Sequence, residues 1–507
     1  MLRRFLQALL VAALIGLHGW SLTRFPAPFV DEAWLASRAW GFAQTGRCFG
    51  ALDVGIFDYV DGYWTFLPCL SVMLQAAVLR LAGAPSLLAS RLISLFFGLV
   101  LLGAIYWMGA CLRGRRLGRL SLFLVGMSYP FFYSAHLARP DVIAAALGYL
   151  AVAIYLAHRG RRRGWEGLMI GLILGLAFEI HPNSAIFVFT LGLLYLWDLR
   201  GRLWRSGSFY ACLGGGVLGL GVYAAMHILP YPRNFLKFNQ YAFNATHAPP
   251  LFTLDVSVIG QSLLETVVFQ GVALTLLAPA AVLGFFQMAR RRDATDKILL
   301  LLSGSLSVGF ALLVRLKAGY YAINLAPLLL LIAARYLLDS LEAPWSGRLT
   351  DYLSRLTWGL ALVGLALNLS TLRENAYAEY LRNQAQINSQ VREGDVILGP
   401  QIYWFGLTHH PYLYLEQIAY YRHFHPEASL EEALRHYRPT LFIQDNHLRG
   451  YLEGAQQGGD TLFGYLGLSQ AELEQALASN ARPLTEFESR IAGRTRVYRF
   501  DWDAPPE

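Results

Sequence analysis

"LARPDVIAAALGYLAVAIYLAHRGRRR", Leu137 to Arg163, carries the pattern that decides the architecture. Arg139, Pro140 and Asp141 open it, an uncharged apolar run follows from Val142, and four arginines close it between Arg159 and Arg163. About 20 apolar residues cross a bilayer as a helix, so the stretch reads as a membrane span with Arg-Pro-Asp at one end and an arginine cluster at the other. Candidate spans begin near Phe5, Leu88, Leu120, Val142, Gly167, Ala185, Tyr210, Ser262, Ile298, Ala322 and Leu356, about 11 in all.

Composition agrees with that reading. The 507 residues are 55% hydrophobic and 15% charged, far from the balance of a soluble globular chain. The formal net charge of +8 comes from 42 Lys+Arg against 34 Asp+Glu, but the basic residues bunch between apolar runs. Such clusters are topology signals rather than a nucleic-acid surface.

Alternating the loops puts Arg3 and Arg4, Arg113–Arg119, Arg159–Arg163, Arg200–Arg205 and Arg290–Lys297 on one side. By the positive-inside rule this side is the cytoplasm. The first segment, "MLRRFLQALLVAALIGLHGW", starts like a signal peptide, yet no small-residue cleavage site clearly follows. It is expected to remain as a helix with a cytoplasmic N-terminus in the plasma (inner) membrane. Counting "WTFLPCLSVMLQAAVLRLAG", Trp64 to Gly83, as a span would reverse every later loop. It is expected instead to be an interfacial or re-entrant helix.

The outer side then collects Asp31 and Glu32, "FDYVDGY" (Phe57–Tyr63), "HLARPD", "EIHPN" (Glu179–Asn183), "YPRNFLKFNQYAFNATHAPP" (Tyr231–Pro250) and "RLKAGYY" (Arg315–Tyr321). Charges at helix ends are costly in lipid and are expected to face a water-filled or substrate cavity. From Asn375 the apolar runs shorten. Helices over "YAEYLRNQAQINSQV" and "SLEEALRHY", with strands "DVILG", "PTLFIQD" and "RTRVYRF", predict a small soluble α/β domain over 375–507, outside the membrane. The expected fold is thus an all-α polytopic membrane domain over 1–374 followed by this extracytoplasmic domain. Of the four cysteines, Cys48 and Cys69 can pair if both lie outside, or stay as free thiols.

Several residues could carry chemistry. Asp31 and Glu32 open "DEAWLASRAWGFAQ". Asp31 suits a helix N-cap, and a fixed carboxylate facing a cavity can also take a proton from an acceptor. Pro140 and Asp141 are ordinary at a helix start, whereas the Arg139 guanidinium can hold a phosphate or carboxylate, or neutralise Asp31 or Asp141. Lys317 reads either as an interfacial cation, with Tyr320 and Tyr321 as belt aromatics, or as a second charge for an anionic ligand, with the tyrosines supplying hydroxyls and flat walls. His181, before a proline, is expected as a cavity wall. Asn244 and Asn368 match the glycosylation acceptor pattern, and "DWD" at Asp501–Asp503 sits in a polar tail. The chain has no Walker loop, Rossmann glycine fingerprint or HExxH.

Taken in order, the outer Asp31-Glu32, the long first outer loop, "RPD", "HPN" and "KAGYYAINLAP" resemble the GT-C membrane glycosyltransferases, specifically the protein O-mannosyltransferases and the aminoarabinose transferase of lipid A. These elements cover about the first 340 residues. The resemblance implies transfer, with inversion, of a sugar from a polyprenyl-phosphate donor to a lipid, glycan or protein acceptor. It implies Asp31 as base with Glu32 beside it, Arg139 and Lys317 on the donor phosphate, Tyr320 and Tyr321 in its pocket, and Asp141 in support. The MIR-type domain of eukaryotic protein mannosyltransferases and the Trp-Trp-Asp element of oligosaccharyltransferases are missing, which weighs against a protein acceptor. A divalent metal is left open, with Asp31, Asp58, Asp61 and Asp141 as oxygen ligands.

Two other classes compete. A transporter or flippase of lipid-linked glycans would also line a cavity with charges, but no matching broken halves are found in the sequence. A membrane-anchored sensor would not require charges clustered at the outer ends of early and late helices.

Overall fold

The computed structural model describes residues 2–54, 69–161, 163–236, 271–291, 293–314, 319–342, 348–456 and 468–502. Six helices among them are long and apolar enough to cross a membrane: Leu87–Arg113, Asp141–His158, Pro182–Arg205, Gly207–Ile228, Ala294–Leu313 and Tyr352–Asn388. The protein is a multi-pass membrane protein. Helix Leu70–Ala82, within the segment set aside as interfacial, has 13 residues, about 20 Å at 1.5 Å per residue and too short for a hydrocarbon core of roughly 30 Å.

The span expected from Leu120 is interrupted. Helix Arg115–Gly126 stops at Met127, and a seven-residue helix, Tyr129–Ala135, restarts with proline at its second position. Pro130 lacks an N–H and its ring clashes with the carbonyl four residues back in a continuous helix, so the apolar run cannot continue as one helix. The span expected from Ser262 begins outside the described residues, which resume with helix Gly271–Arg291.

The chain packs as two compact units. The first comprises Met1–Pro26, Ser94–Leu229 and Pro249–Glu374. Its tightest helix pair is Gly164–Ile180 against Gly207–Tyr223. A Cβ on Gly171 would run into the Cys212 carbonyl, one on Gly167 into the Ser208 carbonyl, and one on Gly215 into the Leu168 carbonyl. Without those side chains the backbones touch, which is how helices gain packing energy in lipid, where burial of apolar surface offers little. At the other end of this pair Glu179 Oε1 meets His227 Nε2 at 2.7 Å, both fully buried. Asn368 is also buried, and its amide donates to the Met127 carbonyl at 2.9 Å. It is therefore a packing residue and not a glycosylation acceptor; Asn244 lies outside the described residues.

The second unit comprises Ala27–Ile93, Pro230–Ala248 and Asn375–Glu507. It contains a five-stranded mixed sheet of β1 (Ile397–Leu398), β2 (Tyr412–Leu413), β3 (Leu441–Gln444), β4 (Ala481–Ser489) and β5 (Gly493–Phe500), in the order β2-β1-β3-β5-β4. β1 runs parallel to β2 and β3, while β5 runs antiparallel to β3 and β4. Leu398 and Phe442 pack with Ile418, Leu434, Leu452 and Leu477 from the covering helices. Gln417, at the start of one of these helices, donates to the Val54 carbonyl, tying the stretch after helix Val30–Thr45 to the sheet domain. Cys48 and Cys69 are disulfide-bonded.

Candidate active site

In the first unit, three separate segments bring one cluster together. Arg139 lies in the turn before helix Asp141–His158, and its Nε donates to Asp141 Oδ2 at 2.8 Å. This bond uses one of the five guanidinium donors and fixes the plane of the fork. The guanidinium carbon sits 3.8 Å from the centroid of the Tyr320 ring, a cation–π contact. Tyr320 and Tyr321 come from the short 3₁₀ segment Gly319–Asn324, and their rings meet edge to face at 4.6 Å.

His181 closes the cluster. Pro182 disfavours helical backbone at the residue before it, so helix Gly164–Ile180 ends there with His181 extended at φ −159°. Its ring packs edge to face on Tyr321 at 5.5 Å. The Asn183 amide donates to His181 Nδ1 at 3.1 Å, so in the neutral ring the proton sits on Nε2. That nitrogen is 3.9 Å from Asp141 Oδ1, beyond hydrogen-bond reach. Asp141 Oδ1 is buried and has no hydrogen-bond partner among the described residues, a state shared by the nearby Asn183 Nδ2. Buried polar atoms are ordinarily paired, so the cluster has unused capacity for a polar ligand.

Arg139, Asp141, His181, Tyr320 and Tyr321 are thus neighbours, while Lys317 lies outside the described residues. Asp31 and Glu32 belong to the second unit, in helix Val30–Thr45. The cap of this helix differs from the Asp31 cap expected from the sequence. The N-cap position is Phe29, and its amide donates to Glu32 Oε2 at 2.9 Å, so the side chain that caps the helix is Glu32 and not Asp31. A carboxylate three positions into the helix reaches back to the first amide more readily than one two positions in.

Glu32 is fully buried and holds Arg91, whose Nε lies 2.8 Å from Oε1 and Nη2 2.8 Å from Oε2. Asp31, half-buried beside it, is carried on a helix whose start is pinned twice. The sequence reasoning missed Arg91, although it is the sole charge between Arg80 and Arg113. It also missed Asp53, which binds Arg38 through both oxygens at 2.8 Å and the Trp34 indole at 2.7 Å. No three His, Cys, Asp or Glu among the described residues stand as a metal-binding group, and Asp58 and Asp61 lie outside them.

The comparisons with known proteins bear on this arrangement. Residues 68–227 match the family model described as dolichyl-phosphate-mannose-protein mannosyltransferase. The crystal structure of ArnT from Cupriavidus metallidurans in the apo state superposes with a TM-score of 0.61 at 14% identity, covering 98% of each chain. The chain has the GT-C fold. ArnT bound to undecaprenyl phosphate matches this GT-C chain over 99% of both, at TM-score 0.60 and 14% identity. The apo oligosaccharyltransferase of Archaeoglobus fulgidus matches 97% of this chain and 75% of its own, at TM-score 0.55 and 10% identity. No curated protein sequence matches the chain. The resemblance drawn from the motifs holds for the fold.

Proposed function

We propose that the chain is an integral-membrane glycosyltransferase that moves a sugar from a polyprenyl-phosphate donor to a lipid, glycan or protein acceptor on the outer face of the plasma membrane. The observation that carries this reading is the Arg139–Asp141–His181–Tyr320–Tyr321 cluster, with a buried Asp141 oxygen that has no partner among the described residues, on a GT-C fold. It is supported by the match to a mannosyltransferase family model and by a structural neighbour solved with undecaprenyl phosphate.

In this mechanism the acceptor heteroatom attacks the anomeric carbon of the donor sugar from the face opposite the phosphate. Its proton passes to the Asp31 carboxylate. The bond between the anomeric carbon and the phosphate oxygen breaks, and its electron pair leaves on that oxygen. Fixed cations stabilise the charge that develops there, a role we assign to Arg139 and Lys317, with Asp141 orienting Arg139 and Tyr320 and Tyr321 walling the pocket. Glu32 acts by holding the helix that carries Asp31. We read about 11 spans, a cytoplasmic N-terminus and an extracytoplasmic C-terminal domain from the arginine clusters, and the Cys48–Cys69 bridge fits an oxidising exterior.

The test is transfer of radiolabelled sugar from a panel of polyprenyl-phosphate donors, in membranes holding wild type or Asp31→Asn. Label should reach a product only with wild type, with loss of about 10²–10⁴-fold on substitution, the usual worth of a positioned general base. Retained transfer by a folded, inserted Asp31→Asn removes Asp31 from that role. No transfer by wild type across the panel overturns the enzyme reading in favour of glycan transport.

A further inference from the structure

At the arginine-rich end of helix Gly164–Ile180 lies a cavity of about 500 Å³ lined by Gly164, Arg202, Arg205, Ser206, Gly207 and Ser208. The helix has 17 residues, so the cavity stands roughly 25 Å from His181 at the other end. It is separate from the cluster described above.

Two guanidiniums line it, both exposed, and neither Arg202 nor Arg205 forms an ion pair among the described residues. The acids nearest in sequence are already engaged. Glu166 accepts the Arg163 amide, and Asp198 accepts the Tyr155 hydroxyl and the Arg159 guanidinium. The charge of the cavity is therefore uncompensated. Ser206 accepts the Phe209 amide at 3.3 Å, and Ser208 lies 3.3 Å from the Tyr195 hydroxyl. Each serine oxygen can serve a further partner.

The surroundings indicate where the ligand comes from. Trp165 follows Gly164, Trp204 stands between the two arginines and Tyr210 comes two residues after Ser208, and all three rings are exposed. Exposed tryptophan and tyrosine beside arginines mark headgroup depth at a membrane surface. Helix Gly207–Tyr223 starts at the cavity and carries exposed Leu213, Val217, Leu218 and Leu220 away from it. An anion at the cavity mouth would thus have an apolar track leading into the hydrocarbon.

We propose that this cavity binds the phosphate-bearing headgroup of an anionic phospholipid. Arg202 and Arg205 are its charge partners, the two serine hydroxyls are its donors, and the exposed face of helix Gly207–Tyr223 takes its acyl chains. Basic pockets between membrane helices on the arginine-rich side hold such headgroups in general.

The experiment titrates phosphatidylglycerol, and separately phosphatidylcholine, into the full-length protein in detergent micelles, reading bound lipid by native mass spectrometry and the shift in Tm. Wild type should bind phosphatidylglycerol and gain Tm, with no response to phosphatidylcholine. Arg202→Gln/Arg205→Gln should need roughly thirty-fold more phosphatidylglycerol, from the usual contribution of two basic residues near a lipid headgroup. Arg202→Lys/Arg205→Lys, which keeps the charge, should retain most of the binding. Equal affinity in wild type and the glutamine variant overturns the proposal, as does an equal response to phosphatidylcholine. Displacement of phosphatidylglycerol by inorganic phosphate at matched concentration overturns the lipid source and leaves a free-phosphate site.

Discussion

Two buried arginine–carboxylate pairs, Arg91 with Glu32 and Arg139 with Asp141, use the same chemistry to different ends. Glu32 gives both oxygens to Arg91 and one of them also to the Phe29 amide. Asp141 gives one oxygen to Arg139 and keeps the other without a partner among the described residues. The first pair is saturated and closed, which suits a fastening. The second is held in place while unsatisfied, which suits a ligand site. The difference lies in how many donors the described residues supply to each carboxylate.

The sharpest way to break the comparison is to remove an arginine from the closed pair. Arg91→Leu leaves Glu32 buried without its charge partner, and losing one member of a buried pair costs about 3–5 kcal/mol. We expect a large fall in Tm in detergent. Arg91→Leu with Glu32→Gln should recover part of it, because the uncompensated charge is then gone. An unchanged Tm for Arg91→Leu would show that the pair is not a fastening.

The open pair should respond in function rather than in stability. Arg139→Lys keeps a cation but loses the planar fork and much of the stacking on Tyr320. We expect donor KM to rise about ten- to hundred-fold, corresponding to the ~1–3 kcal/mol of a charge-assisted bond, with a Tm close to wild type. A rise in acceptor KM at unchanged donor KM would count against phosphate binding.

The same comparison explains what could be read in advance. Arg139, Asp141, His181, Tyr320 and Tyr321 stood out because each is a polar or aromatic residue at the edge of an apolar run, and the first unit does bring them together. Arg91 was passed over because it sits inside such a run, where a window average hides a single charge. His227 was missed for the same reason, since only the fold brings Glu179 to it. In the tail, β3 and β5 were readable from their apolar and alternating residues, but β4, "ARPLTEFES", buries no side chain fully and carries a register shift at Pro483. An edge strand held mainly by its backbone leaves almost no hydrophobic pattern to read. Pairing between distant stretches of the second unit was beyond any local signal: nothing in Cys48 or Gln417 alone names Cys69 or Val54.

A third pair, Asp395 with Arg499 in the sheet domain, sharpens the comparison at the edge of water and gives the smallest effect. Burial pushes the Asp395 carboxyl upward, but hydrogen bonds from Arg499, the Arg392 amide and the Thr440 hydroxyl outweigh it and hold the group below its ordinary value. A carboxyl depressed in the folded state adds stability that is full above its unfolded pKa of about 4. That stability is lost as pH falls through the lower folded value. Unfolding followed from pH 7 down to pH 2 should therefore show wild type losing about 1 kcal/mol more than Asp395→Asn, with the divergence confined to the region below about pH 4. Parallel pH profiles would mean that the network around Asp395, although complete in its bonds, is open enough to water that closing it contributes nothing.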